Sequence, residues 1–281
     1  MRLPAGLQEL LDEGVIDEVL RQLKSGKEAS VYAVRCGSEI RCAKVYKDMA
    51  QRSFQRRAQY QEGRKYRGSR ETRAMSRGSR YGRKEQESAW KNSEVDALYR
   101  LTAVGVRVPQ PFGFFNGVLI MEMVIDADGN VAPRLGEMEL SAEAARSYHD
   151  ILIRQVVSML CAGLIHGDLS EFNVLVDAEG PVIIDLPQAV DAAGNNNAFA
   201  MLERDVRNIT ETLGRFAPEL LESKFALQMW HLFEQGELKP DTVLTGFHRA
   251  DETPANVEEV VQAIEDARTE EMMRRERESA A

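Results

Sequence analysis

The sequence predicts an α+β fold in two lobes, a small β-rich one first and a reduced, mainly helical one after it. Three observations predict it. Two hairpin patterns of β-branched and aromatic residues both fall before residue 126, and a 3.6-residue apolar period dominates from Ser141 onward. Between those regimes, LIHGDLSEFNVLVDAEGPVIIDL carries one short hairpin that is polar at both ends. A chain of 281 residues can bury the cores of two such lobes without disulfides or further domains.

Taken in order, Leu7, Leu10, Leu11, Val15, Ile16, Val19 and Leu20 recur at helical spacing and predict an amphipathic helix, an N-terminal helical extension over 1–24. The β-rich lobe is expected over 25–125. It opens with SVYAV and IRCAKVY, paired around a turn at Cys36 to Glu39. Residues 54–84 repeat Arg, Gly and Ser with almost no aliphatic side chain, so they are expected to form a flexible insertion. Helical periodicity returns through Trp90, Val95, Leu98 and Leu101 until Gly105, Pro109 and Pro111 end it, predicting a helix over 87–101. FGFFNGVLIMEMV predicts a second hairpin turning at Asn116-Gly117.

The helical lobe is expected over 126–250. After a connector at 126–136, Ser141 is placed to cap a helix running to about Ala162. VLV and VII then form the short hairpin, turning at Asp177 to Pro181, and the remaining chain reads as mostly helical. Residues 251–281 are expected to form a charged C-terminal helix, with its charged run at Val257 to Glu278.

Charge is unevenly spread. Residues 47–91 hold fourteen Lys or Arg against five Asp or Glu, a local +9 within a chain of net −9, which leaves −18 elsewhere. Such a segment is a candidate contact for phosphate-rich partners, or equally a solvated loop. Three cysteines without a CxxC pair suggest neither a disulfide framework nor a zinc site, which points to a reducing cytoplasm. The longest apolar run, Val118 to Ile125, contains Glu122, so no membrane span is expected.

The chemistry concentrates in HGDLSEFN, His166 to Asn173. Asp168 precedes Asn173 by the interval that suits a base or orienting carboxylate followed by a carboxamide metal ligand, and Asp185 ends the next apolar run. Oxygen-only ligands at Asn173 and Asp185 favour a hard cation such as Mg2+. His166, with no second imidazole or thiolate near it in sequence, reads as a brace for the loop. Lys44, inward on the second strand, needs a buried carboxylate, and Glu94 on the following helix is the best candidate. KSGKEASVY has a single glycine, Gly26, so it is no GxGxxG loop; taken alone it reads as an ordinary polar turn between helix and strand. Ser25 and Lys27, with backbone N–H groups around Gly26, are the groups able to contact phosphates there.

Together these segments resemble the RIO family of atypical serine/threonine protein kinases, closest to its first subfamily in a bacterial-like form. SGKEASVY is similar to the family's STGKEANVY phosphate loop, CAKVYK to its lysine strand, HGDLSEFN to its catalytic loop and IIDLPQAV to its metal loop. The resemblance runs from about Leu7 to Phe216 and implies a two-lobed protein-kinase-like fold with a reduced C-terminal lobe.

It also implies ATP and Mg2+, with Mn2+ as an alternative metal, as cofactors. Asp168 would be the catalytic carboxylate, Asn173 and Asp185 the metal ligands, and Lys44 the phosphate-holding lysine paired with Glu94. Ser25, Gly26 and Lys27 would contact phosphates, with Val31, Met121, Glu122 and Val124 on the nucleoside side. The substrate would be a protein hydroxyl, including the chain's own. Two other readings stay open: an ATPase switch in ribosome or RNP assembly that docks on RNA through 47–91, and a small-molecule kinase of the aminoglycoside or choline type. Leu186-Pro187 and Gly194 to Asn197 depart from the family pattern.

Overall fold

A computed structural model describes residues 3–26, 28–47 and 93–246. Its first half is a five-stranded antiparallel sheet in the order β1-β2-β3-β5-β4. The strands are β1 (Glu18–Ser25), β2 (Ala29–Cys36), β3 (Glu39–Tyr46), β4 (Pro111–Phe115) and β5 (Val118–Glu122). Both predicted hairpins are present. Gly37 takes a φ of 62° in the first turn, and Asn116 and Gly117 take 46° and 81° in the second, the doubly left-handed turn that Asn-Gly favours.

Register divides the sheet into two faces, because directly opposed residues of an antiparallel pair point the same way. Val31 opposes Lys44, Lys44 opposes Leu119 and Cys42 opposes Met121, so these share the inner face. Tyr32, Val34, Ala43, Val118 and Ile120 form the outer face, covered by Leu7 and Leu10 of α1 (Ala5–Asp12) and by Ile16.

The N-terminal helical extension expected over 1–24 is corrected by this arrangement. α1 ends at Asp12, Gly14 turns left-handed with φ 68°, and the N–H groups of Val15 and Ile16 return to the Leu10 carbonyl. The chain then enters β1, which pairs with β2, so Gly26 follows a strand and not a helix. Apolar residues at helical spacing up to Leu11 are truly helical. Beyond Gly14, Val15 and Ile16 lie in the return to β1, and Val19 and Leu20 lie in a strand whose register shifts twice against β2.

Helix α2 occupies 93–103, inside the predicted 87–101 helix except for its last turn. The second half holds α3 (Ala142–Cys161), α4 (Ala198–Gly214) and α5 (Phe225–Glu234). Ser141 caps α3 as expected, its Oγ accepting from the Ala144 N–H at 3.1 Å. Two short ladders lie between α3 and α4. β6 (Leu164–Ile165) pairs with β9 (Val190–Asp191), and β7 (Val174–Asp177) pairs with β8 (Gly180–Ile183). Leu101, Leu119, Leu135, Leu152, Leu160, Ile165 and Leu169 are fully buried in one continuous core that joins sheet, helices and ladders.

Lys27, the insertion at 54–84, most of the basic segment 47–91 and the C-terminal stretch 251–281 lie outside the described residues. Among the described residues no helix is long and apolar enough to cross a membrane. Cys36, Cys42 and Cys161 are free thiols.

Candidate active site

Lys44 is the meeting point of three elements. β3 delivers it to the inner face of the sheet, where its ammonium donates to Glu94 Oε1 of α2 at 2.6 Å and to Asp185 Oδ1 beyond β8 at 2.7 Å. Lys44 and Glu94 are buried, whereas the Asp185 side chain is about half exposed. Burial works against the Lys44 charge, but the Glu94 and Asp185 carboxylates outweigh it and hold the ammonium above its ordinary pKa. Burial would likewise raise the Asp185 carboxyl, and the Lys44 ammonium reverses this, leaving it below the usual carboxylate value. A fourth group went unread in the sequence: Tyr46, two residues on and on the same face, donates its hydroxyl to Glu94 Oε2 at 2.5 Å.

The HGDLSEFN loop is held from beneath. α4 presents Arg204, Asp205 and Asn208 along one face, and all three bond to the loop's backbone. Asp205 accepts the N–H groups of Gly167 at 2.7 Å and Leu169 at 3.0 Å; Arg204 donates to the Gly167 carbonyl and Asn208 to that of Leu169. Burial pushes the Asp205 carboxyl up to about 7 despite those two donors.

Within the loop, His166 Nε2–H donates to the Ile184 carbonyl at 3.0 Å while Nδ1 accepts the Asp168 N–H at 3.3 Å, so the neutral tautomer braces the residues on either side of the site. Burial lowers this imidazole's pKa, which favours the same neutral form. The Asp168 carboxylate accepts from the Gln188 amide at 3.3 Å, which ties it to the segment after Asp185.

Asn173 lies just before β7 and Asp185 just after β8, and the Ile184 N–H bonds the Asn173 carbonyl at 2.9 Å. The hairpin thus brings the two ends of its own sequence together. The Asn173 amide nitrogen donates to the Asp168 carbonyl at 2.8 Å, leaving the amide oxygen as its acceptor. Asp185 holds a left-handed φ of 69°, and one of its oxygens is the acceptor for Lys44. The backbone thus brings a carboxamide residue and a carboxylate residue to the same end of the hairpin, and oxygens of these two kinds suit a small, hard divalent cation.

Ser25 ends β1 and Gly26 follows it, and here the Lys47 ammonium donates to Ser25 Oγ at 3.0 Å and to the Gly26 carbonyl at 2.7 Å. Lys47 was not singled out by its sequence; it stands where Ser25 and Gly26 were expected to act. Val31 and Met121 line the inner face of the sheet, and Glu122 ends β5. Val124 is buried against Ala132 and Val182, its carbonyl accepting from the Ala132 N–H at 3.0 Å.

A five-stranded sheet above a helical lobe, with a strand lysine bridging a helix glutamate and the carboxylate after the β7–β8 hairpin, defines the class as a protein kinase. The RIO domain model matches residues 30–225, and the chain belongs to that family. The RIO-type serine/threonine-protein kinase Rio1 of Haloferax volcanii is 32% identical over 212 residues, covering 75% of this chain and 68% of that protein. Human serine/threonine-protein kinase RIO1 is 31% identical over 207 residues, covering 73% of this chain and 35% of the human protein. The chain therefore spans about two thirds of the length of the first relative and about a third of the second. Among solved structures, the Rio2 kinase–ADP/Mg2+–phosphoaspartate complex from Chaetomium thermophilum shares the fold, with a TM-score of 0.53, 24% identity, and coverage of 75% of this chain and 59% of that one.

Proposed function

We propose that the chain transfers the γ-phosphoryl group of ATP to serine or threonine hydroxyls of a protein, its own included. The supporting observation is the Lys44 ammonium shared by Glu94 and Asp185, with Asp168 tied through Gln188 to the segment that follows Asp185. When bound, ATP with Mg2+ would supply the transferable group and offset its developing charge, and Mn2+ would share the preference for oxygen ligands. Asn173 and Asp185 would hold the metal. Lys44 would fix the phosphate chain by charge, Ser25, Gly26 and Lys27 would contact it, and Val31, Met121, Glu122 and Val124 would bound the base. Asp168 accepts the proton of the incoming hydroxyl or orients it, held for that task by His166 and Gln188.

With labelled ATP and Mg2+, the purified chain is expected to label itself on serine or threonine. Asp168→Asn, which removes the positioned proton acceptor, and Asp185→Asn, which removes a carboxylate assigned to the metal, are each expected to lower the rate by at least about 100-fold. Phosphorylation of a small amino-alcohol, with no protein labelled, overturns this reading.

One observation favours a second reading. The Rio2 complex carries a phosphoaspartate with ADP and Mg2+, and Asp168 and Asp185 are carboxylates this site offers for the same chemistry. Turnover would then be ATP hydrolysis, and the +9 charge of residues 47–91 supports RNA as the docking partner. A label released by hydroxylamine distinguishes this acyl phosphate from a phosphoserine, which resists it.

A further inference from the structure

Arg107 lies on the segment between α2 and β4, outside every group assigned above, yet it ties the end of β5 to the tip of the β7–β8 hairpin. Its main chain is fixed in the helical lobe: its N–H donates to Gln155 Oε1 of α3 at 2.7 Å, and its carbonyl accepts the Ile183 N–H at the end of β8 at 2.9 Å. Its guanidinium divides between two carboxylates. One arm donates to Glu122 Oε1 at 3.3 Å, on the last residue of β5, and the other donates to Asp177 Oδ2, at the far end of the β7–β8 hairpin.

Each carboxylate is set by its own backbone partners. Glu122 Oε2 accepts the Gln110 N–H at 3.1 Å, and Asp177 Oδ1 accepts the N–H groups of Glu179 and Gly180 that close the hairpin turn. Arg107 Nε is buried with no hydrogen-bond partner. That orphaned donor carries a cost that an apolar side chain filling the same space would avoid. The arrangement is therefore poorly explained as packing, and well explained as a fork spanning two separately anchored carboxylates.

Resting on the nucleotide-site reading proposed above, we infer that Arg107 is a positioning residue that sets the register between the base-contacting strand end and the metal-holding hairpin. The hairpin is a short lever: Asp177 is at its tip, and Asn173 and Asp185 flank its base. Glu122 leads directly into Met123-Val124. One guanidinium thus indexes both ends of a ligand that must touch base site and metal site at once. Releasing it lets the two ends drift, and the entropy of that drift is recovered from nucleotide affinity.

The test is calorimetric titration of the full chain with Mg2+ and ADP, each protein held well below its own melting temperature. Arg107→Met and Asp177→Asn are each expected to raise the Kd about tenfold, within the usual range for coupled sites. Asp177→Asn keeps the turn-closing oxygen and lies away from the base and metal ends. Arg107→Lys restores a charge with only one compact donor group and is expected to fall between. The Arg107→Met/Asp177→Asn double variant should bind no worse than either single. Variants with lowered melting temperature but a Kd within about twofold of wild type overturn the proposal, as do single effects that simply add. A wild type that binds no nucleotide removes the underlying reading as well.

Discussion

Glu94 is almost fully buried, and both of its oxygens are spoken for: Lys44 takes one and Tyr46 the other. Tyr46→Phe keeps the ring in the core and strips Glu94 Oε2 of its hydroxyl donor. The expected loss is about 1–3 kcal/mol of stability, the usual cost of orphaning a buried polar atom, together with a raised KM for ATP; urea denaturation and steady-state kinetics check the two parts. Lys44 and Glu94 were legible because a lysine on an inward strand position demands a counter-charge. Tyr46 was not, since a tyrosine in a strand reads as ordinary β-propensity and nothing local shows where its hydroxyl points. Asp205 and Gln188 were hidden for a related reason. Their partners lie 20 to 38 residues away, and a carboxylate inside a helix or an amide in a loop carries no local mark of that destination.

Among the elements, turns announced themselves best. Asn116-Gly117 is placed by backbone chemistry alone, and the Ser141 cap needs only the orphan N–H groups of the first helical turn. The N-terminal helix was overextended because apolar spacing does not reveal a glycine's φ. Gly14 stops α1 at φ 68° with open space around a would-be Cβ, so Gly14→Ala is strained by backbone conformation and by no clash. It is expected to cost about 1–2 kcal/mol. Leu10→Ala, which empties a fully buried site between α1 and the sheet, should cost about 2–5 kcal/mol. Urea melts of both variants check the ranking, and a Gly14→Ala protein as stable as wild type would contradict the left-handed stop.

On the scale of the whole molecule, two buried titrating groups in the helical lobe pull stability in opposite directions with pH. His149, bonded to Thr210 at 2.9 Å and packed on Phe225, has its imidazole pushed down to about 4 by burial. The unfolded chain takes up this proton below the ordinary value of 6.5 and the folded chain refuses it until about 4, so stability from this group is lost as pH falls across that window. Asp205 does the reverse. With its carboxyl pushed up to about 7 from 3.8, the folded chain keeps a proton the unfolded chain has released, and stability is lost as pH rises between those values.

The two effects are about 3 and about 4 kcal/mol and opposite in sign, so the wild-type profile is expected to be flatter than either contribution. The stability difference between wild type and His149→Gln should grow from pH 4 to 6.5. That between wild type and Asp205→Asn should shrink from pH 4 to 7. Denaturant titrations across this range test both signs.

The left-handed backbone of Asp185 also bears on which substitutions can be interpreted at that position. Only glycine, asparagine and aspartate adopt such a φ with ease, so a full mutational scan at residue 185 should sort into two thresholds. Asparagine and glycine are expected to yield folded, silent protein, whereas valine, isoleucine and other β-branched replacements fail earlier, in expression and solubility. An inactivating control built on alanine mixes those two failures. Asparagine at this position separates them.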